Sequence, residues 1–290
     1  STTPVIASEF IENYGESVGI DTVILAVSQS GETADVLTAV DYARMRAATI
    51  LAITNVVGST LTRVSRAYLL QNSGPEVGVA ATKTFTAQLT VLAQLALRLA
   101  RKRGKLAQYE LDELKEKLFE LPQLVKKTLE KSEEPIKMLA KELARCQSIF
   151  FLGRGISYAT ALEARLKVME LSYIPCIAYP AGESKHGPIS VIEEGYPVFF
   201  IAPRDSTRKS IIGNIMEMKA RGARIYTIGT EGDEELKGIS DWWLGLPEIH
   251  EILSPIIYVI PFQLLAYYLA IEKGYDPDKP RNLAKSVTVE

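Results

Sequence analysis

The sequence predicts an α/β protein built as two tandem three-layer α/β/α domains with mainly parallel sheets. Two observations carry this. Short aliphatic runs alternate with stretches of helical periodicity along the whole chain, the pattern of parallel strands joined by crossover helices. The same order then occurs twice, and in each half the first clear strand runs into a glycine-bearing turn, at Ser28–Gly31 and at Gly153–Gly155, as expected of an internal duplication. At 290 residues, 47% of them hydrophobic, the chain has material for two cores.

In the first half, Thr22–Val27 reads as a buried strand, followed by a helix from Glu32 to about Arg46 and a strand over Thr49–Ile53. Ala67–Leu70 is a further strand, and Val79–Arg103 a long helix with Leu89, Leu92, Leu95, Leu97 and Leu99. From Lys105 to Leu143 dense charge is interleaved with Leu106, Leu111, Leu114, Leu118 and Leu121, an amphipathic connector. Lys131–Pro135 is expected to break it, since proline cannot donate to the helix ladder. The boundary is therefore set there, giving domains over 1–134 and 135–290.

The second half repeats the order, with strands at Ser148–Leu152, Cys176–Tyr179, Val198–Ala202, Arg224–Ile228 and Trp242–Leu246. Helices are expected from Ser157 to Tyr173 and from Ser206 to Ala220. Ile252–Ile271 contains no charged residue and has the length of a membrane span. Pro255, Pro261 and Gln263 interrupt it and Ser254-Pro255 marks a helix start, so it is read as a core helix bent near Pro261 and no membrane is expected.

Lys and Arg number 33 against 35 Asp and Glu, a net charge of -2 that offers no general field for nucleic acid. Any anionic ligand must be held locally. Cys146 and Cys176 form no paired motif, and with only two histidines a structural metal site is not expected. The first ten residues have neither the basic region nor the apolar run of a secretory signal, so a cytoplasmic location is expected. The absence of an initiator Met suggests a fragment.

Five places could carry chemistry. Ser28-Gln29-Ser30-Gly31-Glu32-Thr33 leaves a buried strand and enters a helix, where free N–H groups and three hydroxyls suit a phosphate monoester; N-capping by Ser30 explains the same letters. Gly153-Arg154-Gly155 begins like a dinucleotide fingerprint but has Tyr158 where the third glycine belongs, which argues against NAD. Glu163, Lys167 and Glu170 share one face of a mostly apolar helix, fitting either a general base with tuned basicity or a solvated ion-pair stripe. His186 lies in a loop between a lysine and Gly-Pro, a reasonable proton shuttle. Lys285, flanked by Leu283, Ala284 and Val287, is either an ordinary exposed lysine or an amine docked on an apolar surface and able to attack a carbonyl.

Together these segments resemble the isomerase half of the glutamine:fructose-6-phosphate aminotransferases, or glucosamine-6-phosphate synthases, two flavodoxin-like sugar-isomerase domains in tandem. The resemblance covers nearly the whole chain. It rests on Ser28–Asp35, Val77–Lys83, Leu166–Tyr173, Ala181–Pro188 and Pro280–Glu290. It implies that Ser28, Gln29, Ser30 and Thr33 hold the phosphate of fructose 6-phosphate, with backbone near Val79 and Ala284 on the sugar. Lys285 would form a Schiff base at C2, His186 would assist ring opening from the neighbouring subunit of a homodimer, and Glu170 would move the proton between C1 and C2. Lys167 would modulate that carboxylate and Glu163 support it. No metal or organic cofactor is implied.

The resemblance also implies a glutaminase half that supplies ammonia, and a strand with a serine-bearing turn ahead of Ile6–Phe10; neither is in this sequence. Ala81 stands where the family usually has serine. Competing readings are a glucosamine-6-phosphate deaminase or related ketosamine-phosphate enzyme, and a sugar-phosphate-binding regulator without turnover. A pure binder would have no need of Glu170 and Lys285 together.

Overall fold

A computed structural model describes residues 2–286. The chain divides into two compact units. The first runs to Gln94 and is rejoined by the tail from Asn282; the second is Leu95–Arg281.

In the first unit α1 (Phe10–Tyr14) precedes β1 (Val23–Val27), α2 (Ala34–Met45), β2 (Thr49–Thr54), α3 (Thr60–Val64) and β3 (Ala67–Leu70). The strands are parallel in the order β1-β2-β3, with Val23 opposite Thr49 and Leu51 opposite Ala67. Alternation along the strands turns Ala26, Ile50 and Ala52 toward one face, where they pack with Ala39, Val40 and Ala43 of α2 and with Phe10, Val18 and Leu61. All three expected strands are present to within a residue, but β1 is not the buried strand expected, since Val23 and Leu25 are exposed. The helix expected from Val79 begins only at Lys83, as α4 (Lys83–Lys102). The preceding residues are held in an irregular loop by the Glu76 carboxylate described below.

The second unit contains α5 (Gln108–Leu143), β4 (Ile149–Gly153), α6 (Ile156–Ser172), β5 (Cys176–Pro180), β6 (Pro197–Ala202) and α7 (Arg208–Lys219). β7 (Arg224–Thr230), α8 (Glu234–Ile239), β8 (Trp242–Leu246), α9 (Ser254–Tyr258) and α10 (Ile260–Glu272) complete it. Its five parallel strands run β5-β4-β6-β7-β8. The order reverses between β4 and β6, which is the doubly wound topology with its switch point at the carboxyl ends of those two strands. One face carries Phe150 and Phe200 toward α7; the other carries Phe151, Phe199 and Tyr226, with Phe262 of α10 edge-on to the two phenylalanines.

One expectation is corrected here and another is borne out. Pro135 does not break the connector: α5 continues through Pro122 and Pro135. An internal proline costs about 3 kcal/mol, and the buried stripe of Leu121, Ile136, Leu139 and Leu143 along one side of α5 outweighs it. The bend in the apolar helix falls at Val259, between α9 and α10, with Pro261 in the first turn of α10. That stretch, Glu251–Glu272, is long and apolar enough to cross a membrane, but 67% of its apolar window is buried, and α10 packs on α5 and α6 as a core helix. The short helices α3 and α8 were not foreseen. α8 is set by Asp233, whose side chain accepts from the Leu236 N–H at 3.1 Å.

Candidate active site

The serine loop leaves the carboxyl end of β1. Ser28 Oγ lies 3.0 Å from Thr33 Oγ1 and accepts the Gly31 N–H at 3.1 Å, while Ser30 Oγ accepts the Glu32 N–H at 3.1 Å. Gly31 has φ +69°, and a Cβ there would run into the Ser59 side chain, so only glycine fits both the conformation and the space. Ser30 is not the helix cap. That position falls to Thr33, whose side chain makes no cap bond. Glu32 turns aside to accept the Thr60 N–H at 2.7 Å at the start of α3, a bond that holds its carboxyl below the usual range. The loop is thereby left with hydroxyls and N–H groups and no carboxylate at its centre. The Gln29 carbonyl accepts the Asn55 N–H at 3.0 Å, fixing the loop to the end of β2.

The tail meets this loop. Ser286 Oγ lies 3.2 Å from Ser30 Oγ. Lys285 is not set against an apolar surface as its flanks suggested: its Nζ donates to Glu76 Oε2 at 3.1 Å, to the Gly78 carbonyl at 2.9 Å and to the Val79 carbonyl at 3.4 Å. Ala284, beside it, is exposed. Glu76 was missed by sequence reasoning. Its side chain is 5% exposed, and besides Lys285 it accepts from the Thr82 N–H at 2.8 Å, the Thr82 hydroxyl at 3.1 Å and the Thr84 hydroxyl. Burial opposes its ionisation, yet the Thr84 and Thr82 bonds and the Lys285 ammonium prevail and hold it below the ordinary carboxylate range. A signal existed: one acidic residue in a small-residue loop six and eight positions before two threonines that open a helix.

The second unit carries the other candidates. On α6, Lys167 is 3% exposed, with Nζ 2.5 Å from Glu170 Oε2 and 3.5 Å from Glu163 Oε1. The solvated-stripe reading fails, because Lys167 is buried and Glu163 and Glu170 are largely shielded beside it. Burial pushes the Glu163 carboxyl up, opposed by Lys167 and reinforced by Glu170. The helix is seated by Gly153, where a Cβ would meet the Ser157 carbonyl. His186 ends a short 3-10 turn, Ser184–His186, after β5 and is exposed. Thus Ser28, Gln29, Ser30, Thr33, Val79, Ala284 and Lys285 belong to one unit, and Glu163, Lys167, Glu170 and His186 to the other.

A SIS-domain family model matches residues 2–98 and 142–273. Among curated relatives, the glutamine–fructose-6-phosphate aminotransferase (isomerizing) of Thermococcus kodakarensis is 48% identical over 284 residues, 98% of this chain and 47% of the relative. The chain spans about half the length of the curated relatives it matches. Among solved structures, the C-terminal domain of glucosamine-fructose-6-phosphate aminotransferase from Francisella tularensis superposes with a TM-score of 0.86 at 32% identity, covering 94% of this chain and 82% of that one. A glucosamine-6-phosphate deaminase from Thermotoga maritima superposes with a TM-score of 0.74 at 25% identity, covering 97% and 80%. The chain therefore belongs to the SIS-domain family, in the group formed by the C-terminal, isomerase domains of the glutamine–fructose-6-phosphate aminotransferases.

Proposed function

We propose that this chain performs the ketose–aldose isomerisation of fructose 6-phosphate and forms glucosamine 6-phosphate when ammonia is supplied. The observation that most supports the reading is the docking of the Lys285 tail on the serine loop, through Ser286 and Ser30. It sets a primary amine beside hydroxyls and N–H groups suited to a phosphate monoester. Ser28, Gln29, Ser30 and Thr33 take the phosphate, and the backbone at Val79 and Ala284 takes the sugar.

The chemistry follows from these groups. The Lys285 amine adds to C2 of the open-chain ketose and the carbinolamine loses water, leaving an imine that serves as electron sink. Ammonia adds and the lysine amine leaves, giving fructosimine 6-phosphate. Glu170 takes the C1 proton, the electron pair moves toward the C=N, and a proton returned at C2 completes the aldose. Lys167, bonded to Glu170, modulates that carboxylate, and Glu163, whose own carboxyl is pushed up by burial, supports the pair. His186 assists ring opening from the partner in a homodimer. A glutaminase half supplies ammonia in the parent enzyme, in the cytoplasm.

In deuterated buffer, fructose 6-phosphate should exchange its C1 hydrogen or yield glucose 6-phosphate. Glu170→Gln should lower this by about 10²- to 10⁴-fold while fructose 6-phosphate still binds; unchanged turnover would remove Glu170 as the base. Borohydride added with substrate should leave an adduct on the peptide containing Lys285, and its absence would rule out the imine. The Thermotoga maritima likeness supports a second reading, a deaminase running related chemistry in the opposite direction. Release of ammonia from glucosamine 6-phosphate faster than its formation would favour it.

A further inference from the structure

The amine that the proposed reaction needs is fully occupied. An ammonium has three N–H donors, and three acceptors face Lys285 Nζ: Glu76 Oε2, the Gly78 carbonyl and the Val79 carbonyl, at 3.1, 2.9 and 3.4 Å. In this pose the nitrogen has no lone pair to offer. Glu76 cannot swing away with it, because its two oxygens also tie down the start of α4 through Thr82 and Thr84. The cradle loop is fixed from beneath as well. Asn55 Nδ2 donates to the Gly74 carbonyl at 2.8 Å, and Asn55 Oδ1 accepts from the Ser73 N–H and hydroxyl at 3.1 and 2.9 Å. The same Asn55 holds Gln29 of the serine loop through its backbone. Cradle and serine loop thus form one fixed frame, to which Lys285 and Ser286 are bonded through their side chains.

The residue after Lys285 is fastened to that frame at a telling place. Ser286 Oγ lies 3.2 Å from Ser30 Oγ, and Ser30 is a hydroxyl that an incoming phosphate would claim. Resting on the proposed function above, we infer that Glu76 is a positioning residue that parks Lys285 as an ammonium, and that phosphate arriving at Ser30 displaces Ser286 and frees the amine. A charge-assisted bond to phosphate is roughly twice as strong as the neutral hydroxyl pair it replaces, so the exchange runs in the required direction. The consequence is an order of events: a carbonyl compound without a phosphate meets a parked amine, whereas one with a phosphate releases the nucleophile that attacks it. Val79 gains a double use, since its carbonyl holds the resting amine and becomes available to the sugar once the amine leaves.

The test reads the amine directly. Lys285 is labelled with a limiting amine-reactive anhydride and quantified by peptide mass spectrometry against the exposed Lys279 of the same chain. The probe is sorbitol 6-phosphate, which has a phosphate and no carbonyl and so cannot form an imine. Labelling of Lys285 in the unliganded wild type should be low and rise about fivefold or more with the probe, with Lys279 unchanged. Glu76→Gln keeps an acceptor for Thr82 and Thr84 but loses the charge; it should label fast without the probe and gain little from it. Should that variant not fold, Ser286→Ala cuts only the link to Ser30 and should abolish the response to the probe. Equal labelling of Lys285 in wild type and Glu76→Gln, or a fall on adding the probe, overturns the parking role. Borohydride trapping with fructose 6-phosphate separates this from the parent reading. An adduct on Lys285 with no change in labelling defeats the parking role alone, while labelling as expected with no adduct defeats the imine and leaves the parked amine standing.

Discussion

The loops that leave β1 and β6 occupy corresponding places in their sheets. β1-β2-β3 and β6-β7-β8 are the runs of three strands adjacent both in sequence and in space. After β1 comes Ser28–Thr33, with hydroxyls bonded to each other and to the loop's own N–H groups, and its one carboxylate turned away to α3. After β6 comes Arg204-Asp205-Ser206-Thr207, and there Asp205 Oδ1 takes the Thr207 N–H at 2.8 Å and the Thr207 hydroxyl at 2.7 Å. Arg208, the first residue of α7, is bound by both oxygens of Asp233 at 2.7 Å and by Glu235 at 2.8 Å. One copy leaves its hydroxyl and N–H donors to neutral partners. The other supplies its own carboxylates. The three-strand scaffold is alike in both, and the side chains decide which loop stays open.

The same self-neutralising habit in the second unit reaches α6, and the largest expected effect comes from breaking it there. Lys167→Met leaves Glu163 and Glu170 without their shared cation in a buried setting. Removing one partner of a buried ion pair costs about 3–5 kcal/mol, so urea unfolding should show a loss of that order. Lys131→Met, which breaks an exposed pair with Glu231, should change stability by about 1 kcal/mol or less. Equal losses from the two would mean that burial does not set the worth of these charges.

The two copies also differ in how much of them could be read from the sequence. Strands declared themselves, because a buried parallel strand is a continuous apolar run, and the fully buried Ile149–Gly153 and Pro197–Ala202 fall within a residue of where expected. The serine loop and the Glu163–Lys167–Glu170 face were legible from residue type and spacing. Whether that face was wet or dry was not, since helical spacing is the same in both cases and only the packing of α6 decides. Glu76 was hidden for a different reason. Its partners are six, eight and 209 residues away, so no local pattern announces a carboxylate that caps one helix and holds a lysine from the far end of the chain. Pro135 misled because a local rule was outweighed by the buried stripe of α5.

Importing the second copy's device into the first should close it. Ser30→Asp places a carboxylate where the first loop has a hydroxyl, replacing a donor to phosphate with a like charge. A hydrogen bond to a charged group is worth about 1.5–3 kcal/mol, so affinity for fructose 6-phosphate should fall by about 100-fold by isothermal titration, with circular dichroism unchanged. Retained affinity would show that the phosphate does not bind at this loop.

The smallest effect tests whether the second loop is closed or only latched. In Asp233 the Arg208 hydrogen bonds lower the carboxyl pKa first; burial opposes them and the Leu236 N–H adds to them, leaving the group below the ordinary aspartate value. A depressed folded-state pKa gives stability that is complete above the unfolded value, about 3.9, and that is lost as pH falls through the folded value. Asp233→Asn should therefore be less stable than wild type by about 2 kcal/mol at neutral pH, and the gap should close only below about pH 4. With Asp205 and Glu235 still in place, the variant should gain no affinity for inorganic phosphate. If it does gain affinity, the Arg208–Asp233 pair is a latch over a usable second site, and the distinction between the two loops is one of occupancy, not of design.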